Sequence, residues 1–152
     1  MKPFSMAAGL GLMLGFCVGI NTLAADDVTV GKEFQGKWIV TEIQANGATV
    51  PEGDLPNFRL TIDGDKMHWQ IGEYKREAKI TTLDGQSNPH LIDIRSVGGD
   101  QDGVVFEGIY ELDGDRFRMC LNLASSIKDR PDKFETVEGS SKVIIVLKRD
   151  SQ

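Results

Sequence analysis

Cysteine is almost absent, with two in 152 residues, and Cys17 lies inside an apolar leader. With Cys120 as the remaining thiol, no disulfide can form within the exported chain, so stability has to come from packing. Histidine is equally sparse. His68 and His90 stand in neither a triad nor a metal-ligand spacing, so no catalytic constellation and no cofactor or metal is expected. Positive charge is scattered, with 17 Lys and Arg against 23 Asp and Glu and a net charge of −6. The absence of any basic block argues against nucleic acid and anionic lipid as partners. Long helical periodicity is missing too; the sole candidate for a helical turn is Leu123–Lys128. Asp63, Asp65, Asp113 and Asp115 do not make a calcium site, because they flank turn glycines and no EF-hand loop follows.

What is present begins with the leader. Lys2, an uncharged apolar run from Phe4 to Ile20 and the small residues Thr22, Ala24 and Ala25 describe a signal peptide over residues 1–25. The rival reading is a retained membrane anchor, against which stand the glycines of the run and the small residues after it. Phe16 before Cys17 is too large for a lipoprotein attachment site. Loss of Lys2 with the leader leaves 16 basic against 23 acidic residues, a net charge of −7. A polar segment at 26–33 then leads into one domain at 34–150, expected to be periplasmic, in the cell envelope or extracellular, and monomeric.

Strand signals fill that domain. Tyr110-Glu111-Leu112-Asp113-Gly114-Asp115-Arg116-Phe117 reads as a β-hairpin with Asp113-Gly114 as a type I′ turn, placing Leu112 opposite Asp115 and Tyr110 opposite Phe117. Phe106, Tyr110, Leu112, Phe117, Met119 and Leu121 then share the core face, and Glu107, Glu111, Arg116 and Arg118 the wet one. Cys120 falls on the outward face, opposite Glu107. Its bland reading is a partly covered residue near Ile109, and the sharp one a reactive thiol or an intermolecular bridge; the acidic neighbour favours the first. Leu60-Thr61-Ile62-Asp63-Gly64-Asp65-Lys66-Met67 repeats the design. Further strands are expected at Gly36–Ile43, Tyr74–Leu83, Leu91–Arg95 and Lys142–Arg149, with a turn at Asn46-Gly47 and a brief pairing at Val50 before a proline-bearing loop. Val143–Leu147 is apolar throughout, which predicts cover on both faces. Eight strands with short antiparallel links and no long helix predict an all-β, eight-stranded up-and-down barrel, the alternative being a β-sandwich. An immunoglobulin-like sandwich would need paired cysteines around a Trp and longer crossovers.

Gly36 and Trp38, Asp63-Gly64-Asp65, Tyr110–Asp115 with Cys120, Arg130-Pro131 with Phe134, and Leu147-Lys148-Arg149 together resemble a planctomycete-type lipocalin-like domain family with a calycin-like barrel. The resemblance spans about residues 34–150 and implies an exported barrel domain without established activity. It places Gly36, Trp38 and Arg149 at barrel closure, with Lys148 or Arg149 against the Trp38 indole. A barrel of this size is either filled by side chains or holds one small ligand. The inward residues expected to line such a site are Phe58, Leu60, Met67, Trp69, Phe106, Tyr110, Phe117 and Met119, and mid-strand Gly108 hints at space or at a bend. The leading expectation is binding of a small apolar or amphipathic molecule. The alternative is a structural or protein-interaction module of the envelope with a packed core.

Overall fold

The computed structural model describes residues 28–124 and 129–151. The leader at 1–25, and residues 125–128 of the expected helical turn, lie outside the described residues. Nine strands follow in order: β1 Gly36–Ala45, β2 Ala48–Pro51, β3 Phe58–Asp63, β4 Lys66–Ile71, β5 Tyr74–Asp84, β6 His90–Val97, β7 Val105–Asp113, β8 Arg116–Asn122 and β9 Lys142–Arg149. All neighbours are antiparallel, and β9 returns to pair with β1 from Trp38↔Arg149 to Ala45↔Val143. This is a closed eight-stranded up-and-down barrel with one extra strand.

The extra strand is β2, where the sequence suggested a brief pairing at Val50. Asn46 (φ 53) and Gly47 (φ 73) both take positive φ, as a type I′ turn requires. They fold β2 back onto the upper half of β1, Glu42↔Pro51 to Ala45↔Ala48. The lower half of β1 pairs with β3 instead, Gly36↔Ile62 to Ile39↔Arg59. Pro51 ends this outer strand, consistent with the exclusion of proline from a central one.

The two Asp-Gly hairpins differ from expectation by one turn position. Leu112 lies opposite Phe117 and Asp113 opposite Arg116, so the loop is Gly114-Asp115. Gly114 alone has positive φ (57), the signature of a type II′ turn with Gly at its first central position. Gly64 (φ 62) and Gly72 (φ 60) open identical loops. The correction moves each register by two residues, which leaves every side chain on the face it was assigned. It does change the partner of Cys120, which faces Ile109 and Ile144 and not Glu107.

Two β-bulges coil the wall. The register slips at Thr41 on β1 and at Thr81 on β5, and each hydroxyl donates to a carbonyl of the adjoining strand, Val146 at 3.3 Å and Asp93 at 3.4 Å. Such slips raise local twist and aid closure. The inward core includes Trp38, Leu60, Met67, Ile80, Phe117, Met119 and Leu147, all fully buried. A second cluster lies outside the wall, where Ile109, Cys120, Ile144 and Val146 are covered with the help of Phe134 and Leu91. The β8–β9 connection supplies that cover. Arg130 Nη1 reaches Asp93 Oδ1 and the Gly108 carbonyl, both at 2.8 Å, and the Arg118 guanidinium sits 3.8 Å from the Phe134 ring centroid. Val143–Leu147 is therefore buried on both faces, as its unbroken apolar run predicts.

Candidate functional site: a barrel capped at one end and open at the other

The end bearing the 64–65 and 114–115 turns is capped from the N-terminal side. Lys32–Phe34 forms a 3-10 turn that drops Phe34, 3% exposed, into the barrel. Its ring meets Tyr110 and Phe117 edge-on at 5.5 and 5.6 Å, the geometry favoured by aromatic quadrupoles. Trp38 packs against Phe117 at 5.6 Å, and its indole N–H donates to the Phe34 carbonyl at 2.9 Å. Arg149 lies over the indole at 4.3 Å. Its guanidinium also donates to the carbonyls of Gln35 at 2.9 Å and Glu33 at 2.6 Å, so one cation stacks on Trp38 and ties down the plug. Lys148 points outward on the same strand, exposed. Gly36, at φ 106, lets the chain turn from the plug into β1 beneath Arg149.

The opposite end is open. Because β1 pairs with β2 above Val40, β1 and β3 part there, and a cavity of 280 Å³ lies between their upper ends and the far wall. Of the eight inward residues named from sequence, Phe58, Trp69 and Phe106 line it. Leu60, Met67, Phe117 and Met119 do not. They are fully buried, as is Tyr110 at 7% exposure, in the packed half below the cavity. The rest of the lining went unlisted at the sequence level: Ile43, Ile71, Ala78, Ile94, Leu121 and Ile145, with Val143 and Leu123 at the rim. Their inward parity was readable, but their height in the barrel was not. Phe58 and Trp69 pack together at 5.5 Å on one side of the cavity.

Gly108 is no sign of space. A Cβ there would collide with the Cys120 carbonyl oxygen and stand 2.6 Å from Leu121 Cδ2, so this glycine permits β7 and β8 to approach closely. At the mouth, Arg76 and Glu77 are the charged lining residues. Arg76 is held by Gln101 Oε1 at 3.0 Å and by stacking on Tyr74 at 5.4 Å.

The other residues singled out for chemistry lie apart from the cavity. His68 is on the outer wall, its Nδ1 3.4 Å from Glu77. His90 sits at the capped end, with Nδ1 2.8 Å from the Ser87 carbonyl and its ring 5.3 Å from Tyr110. Cys120 is fully buried, and burial pushes its thiol pKa up. Among the described residues, no three His, Cys, Asp or Glu side chains gather to hold a metal ion. Asp65 pairs with Lys79 at 3.3 Å and Asp115 with Arg149 at 3.2 Å.

The geometry defines an antiparallel barrel with a plugged base and an apolar mouth. No family model, curated protein or solved structure matches the chain.

Proposed function

We infer that this chain is an exported, lipocalin-like barrel domain that takes up one small apolar or amphipathic molecule through its open end. The observation that carries this reading is the 280 Å³ apolar cavity at the end opposite the Trp38 plug. Its size lies just below the roughly 300–1,000 Å³ typical of ligand pockets, so the ligand is compact. Its body rests against Phe58, Trp69 and Phe106, and a polar end faces Arg76 at the mouth. The two tryptophans divide the assay, since Trp69 lines the cavity and Trp38 is sealed beneath it. 1-Bromohexane, whose bromine quenches an indole only at close range, should quench the cavity-lining Trp69 when titrated into purified protein and give a saturable signal. That signal should survive Trp38→Phe and vanish with Trp69→Phe. The reverse pattern places the open mouth on the Trp38 side, and no saturation in any variant sinks the ligand reading in favour of a packed envelope module. Native mass spectrometry of protein taken from its own cells then tests for a co-purifying molecule. The same spectrum tests export: a mature mass beginning near Ala25 or Asp26 supports cleavage, and retention of Met1–Ile20 in a membrane fraction means an anchor.

A further inference from the structure

Cations that are scattered in sequence form continuous rows on the outer wall. The cross-strand register places Arg116, Lys148, Ile39, Arg59, Gln70 and Lys75 side by side on β8, β9, β1, β3, β4 and β5. The next outward row reads Lys37, Thr61, His68, Glu77 and Val97. The third reads Asp63, Lys66, Lys79 and Arg95. Eight Lys and Arg side chains thus stand in these three rows with two carboxylates, Glu77 and Asp63, on a chain whose net charge is −6.

Like charges directly opposite one another destabilise a sheet. Yet Lys66 faces Lys79, Lys79 faces Arg95, and Arg116 faces Lys148. A wall selected for stability alone would alternate the signs. Some relief is present: Asp65 pairs with Lys79 at 3.3 Å and Asp150 with Arg59 at 3.0 Å. Among the described residues, no ion pair takes Lys37, Lys66, Lys75, Arg95, Arg116 or Lys148. At the centre, Lys37, Arg59, Lys75 and Arg76, with Thr61, His68 and Gln70 between them, border a cleft of 540 Å³ whose lining also includes Trp69 and one carboxylate, Glu77.

We propose that this wall binds an anionic polysaccharide. The charge complementarity is direct, with ammonium and guanidinium groups facing carboxylates or sulfates along a chain. Shape selects a flexible linear polymer, because the first row curves around six strands, whereas a planar bilayer touches a barrel along one line. Chemistry selects a sugar. Thr61, Gln70 and His68 stand between the cations as hydrogen-bonding partners for hydroxyls, while no residue of the three rows is a Phe, Tyr or Trp on which bases could stack, and Trp69 at the edge of the cleft is packed on Phe58. Neighbouring strands are about 4.8 Å apart, so cations one or two strands apart match charges spaced at about one or two sugar units. Sequence reading missed the site because each strand supplies only one or two of its cations, and they come side by side only across strands.

The test is binding of purified protein to heparin and to polygalacturonate, with dextran, single-stranded DNA and phosphatidylglycerol vesicles as comparisons. The protein should bind both anionic polysaccharides at low salt, with affinity falling as salt rises through counterion release, and should ignore dextran. Lys66→Gln/Lys75→Gln/Arg95→Gln should weaken binding about tenfold or more. Lys32→Gln/Lys133→Gln/Lys142→Gln, of equal net charge, should change it less than about twofold. The first triple variant should melt at or above the wild-type temperature because it removes like-charge pairs, which separates lost binding from lost fold. The proposal is overturned by failure to bind either polysaccharide, by equal loss in both triple variants, or by tighter binding to DNA or vesicles than to the glycans.

Discussion

Replacement of Gly108 by alanine tests whether the lower barrel is filled, and the physics there sets two effects of opposite sign against each other. Gly→Ala at a position with ordinary φ stabilises a protein by about 0.4–1 kcal/mol, through the entropy of the unfolded chain. Gly108 does not have positive φ, so that gain is open to it. Against it stands the collision of the new Cβ with the Cys120 carbonyl oxygen, with Leu121 Cδ2 at 2.6 Å and the Cys120 carbonyl carbon at 3.3 Å. The methyl of Leu121 can rotate away. The carbonyl belongs to the backbone of β8, which is paired on both sides with β7 and β9, so it cannot move without distorting two ladders. Overpacking of this kind costs about 1–3 kcal/mol, and the net expectation is a loss of about 1–2 kcal/mol. For a domain of this length that lowers Tm by roughly 3–10 °C. Gly53→Ala is the control, since its φ is not positive and nothing lies within 4 Å of its added Cβ. Urea and thermal unfolding of both variants decide the matter. A Gly108→Ala protein as stable as wild type, or more so, would show that β7 and β8 are not in close approach and that space exists beside Gly108.

At the capped end, Trp38→Ala should cost about 3–5 kcal/mol, as for other large buried aromatics. Arg149→Ala should cost less, about 1–3 kcal/mol, for its cation–π contact and its bonds to the Glu33 and Gln35 carbonyls; equal losses in chemical denaturation would mean that the plug depends on the cation and not on the indole. Gly114→Val should lose about 1–3 kcal/mol, because a β-branched residue is forced to φ 57, and an unchanged melting curve would argue against the type II′ turn. Cys120 should alkylate slowly at pH 8 in the native protein and faster in Phe134→Ala, which opens the cover; labelling at the rate of an exposed thiol in wild type would contradict the second cluster. Its pKa is raised on folding, so its contribution to stability is fully present below the ordinary thiol pKa. That contribution fades as pH rises through the folded value.

Period-2 alternation made the inside and outside of the barrel legible, and it survived a turn placed one position too early because the resulting shift of two preserves parity. The capped end was legible for a related reason. Trp38 and Arg149 stand near opposite ends of the chain's strand run, and any closure of first strand on last brings them together. Alternation carries no information about height. Leu60 and Phe58 are both inward residues of β3, yet Leu60 is fully buried in the packed half and Phe58 lines the cavity. Where the packed half ends depends on the slips at Thr41 and Thr81 and on β2 displacing β3 from the upper part of β1.

Phe34 escaped notice for a different reason. It is a single aromatic in a short polar stretch, with no periodicity to declare a face, and its burial follows only from the Arg149 and Trp38 contacts that hold its backbone. The basic rows extend the same point to the surface. Net charge and the lack of a basic run argued against nucleic acid and anionic lipid as partners, and neither shows the rows, because a barrel wall reads across strands, along a direction the linear sequence does not display. Lys66, Lys79 and Arg95 are separated by 13 and 16 positions in the chain and stand in adjacent register positions on the wall. For a closed sheet, then, net charge describes the molecule's long-range field and not the make-up of any one face. The face must be judged after the register is known.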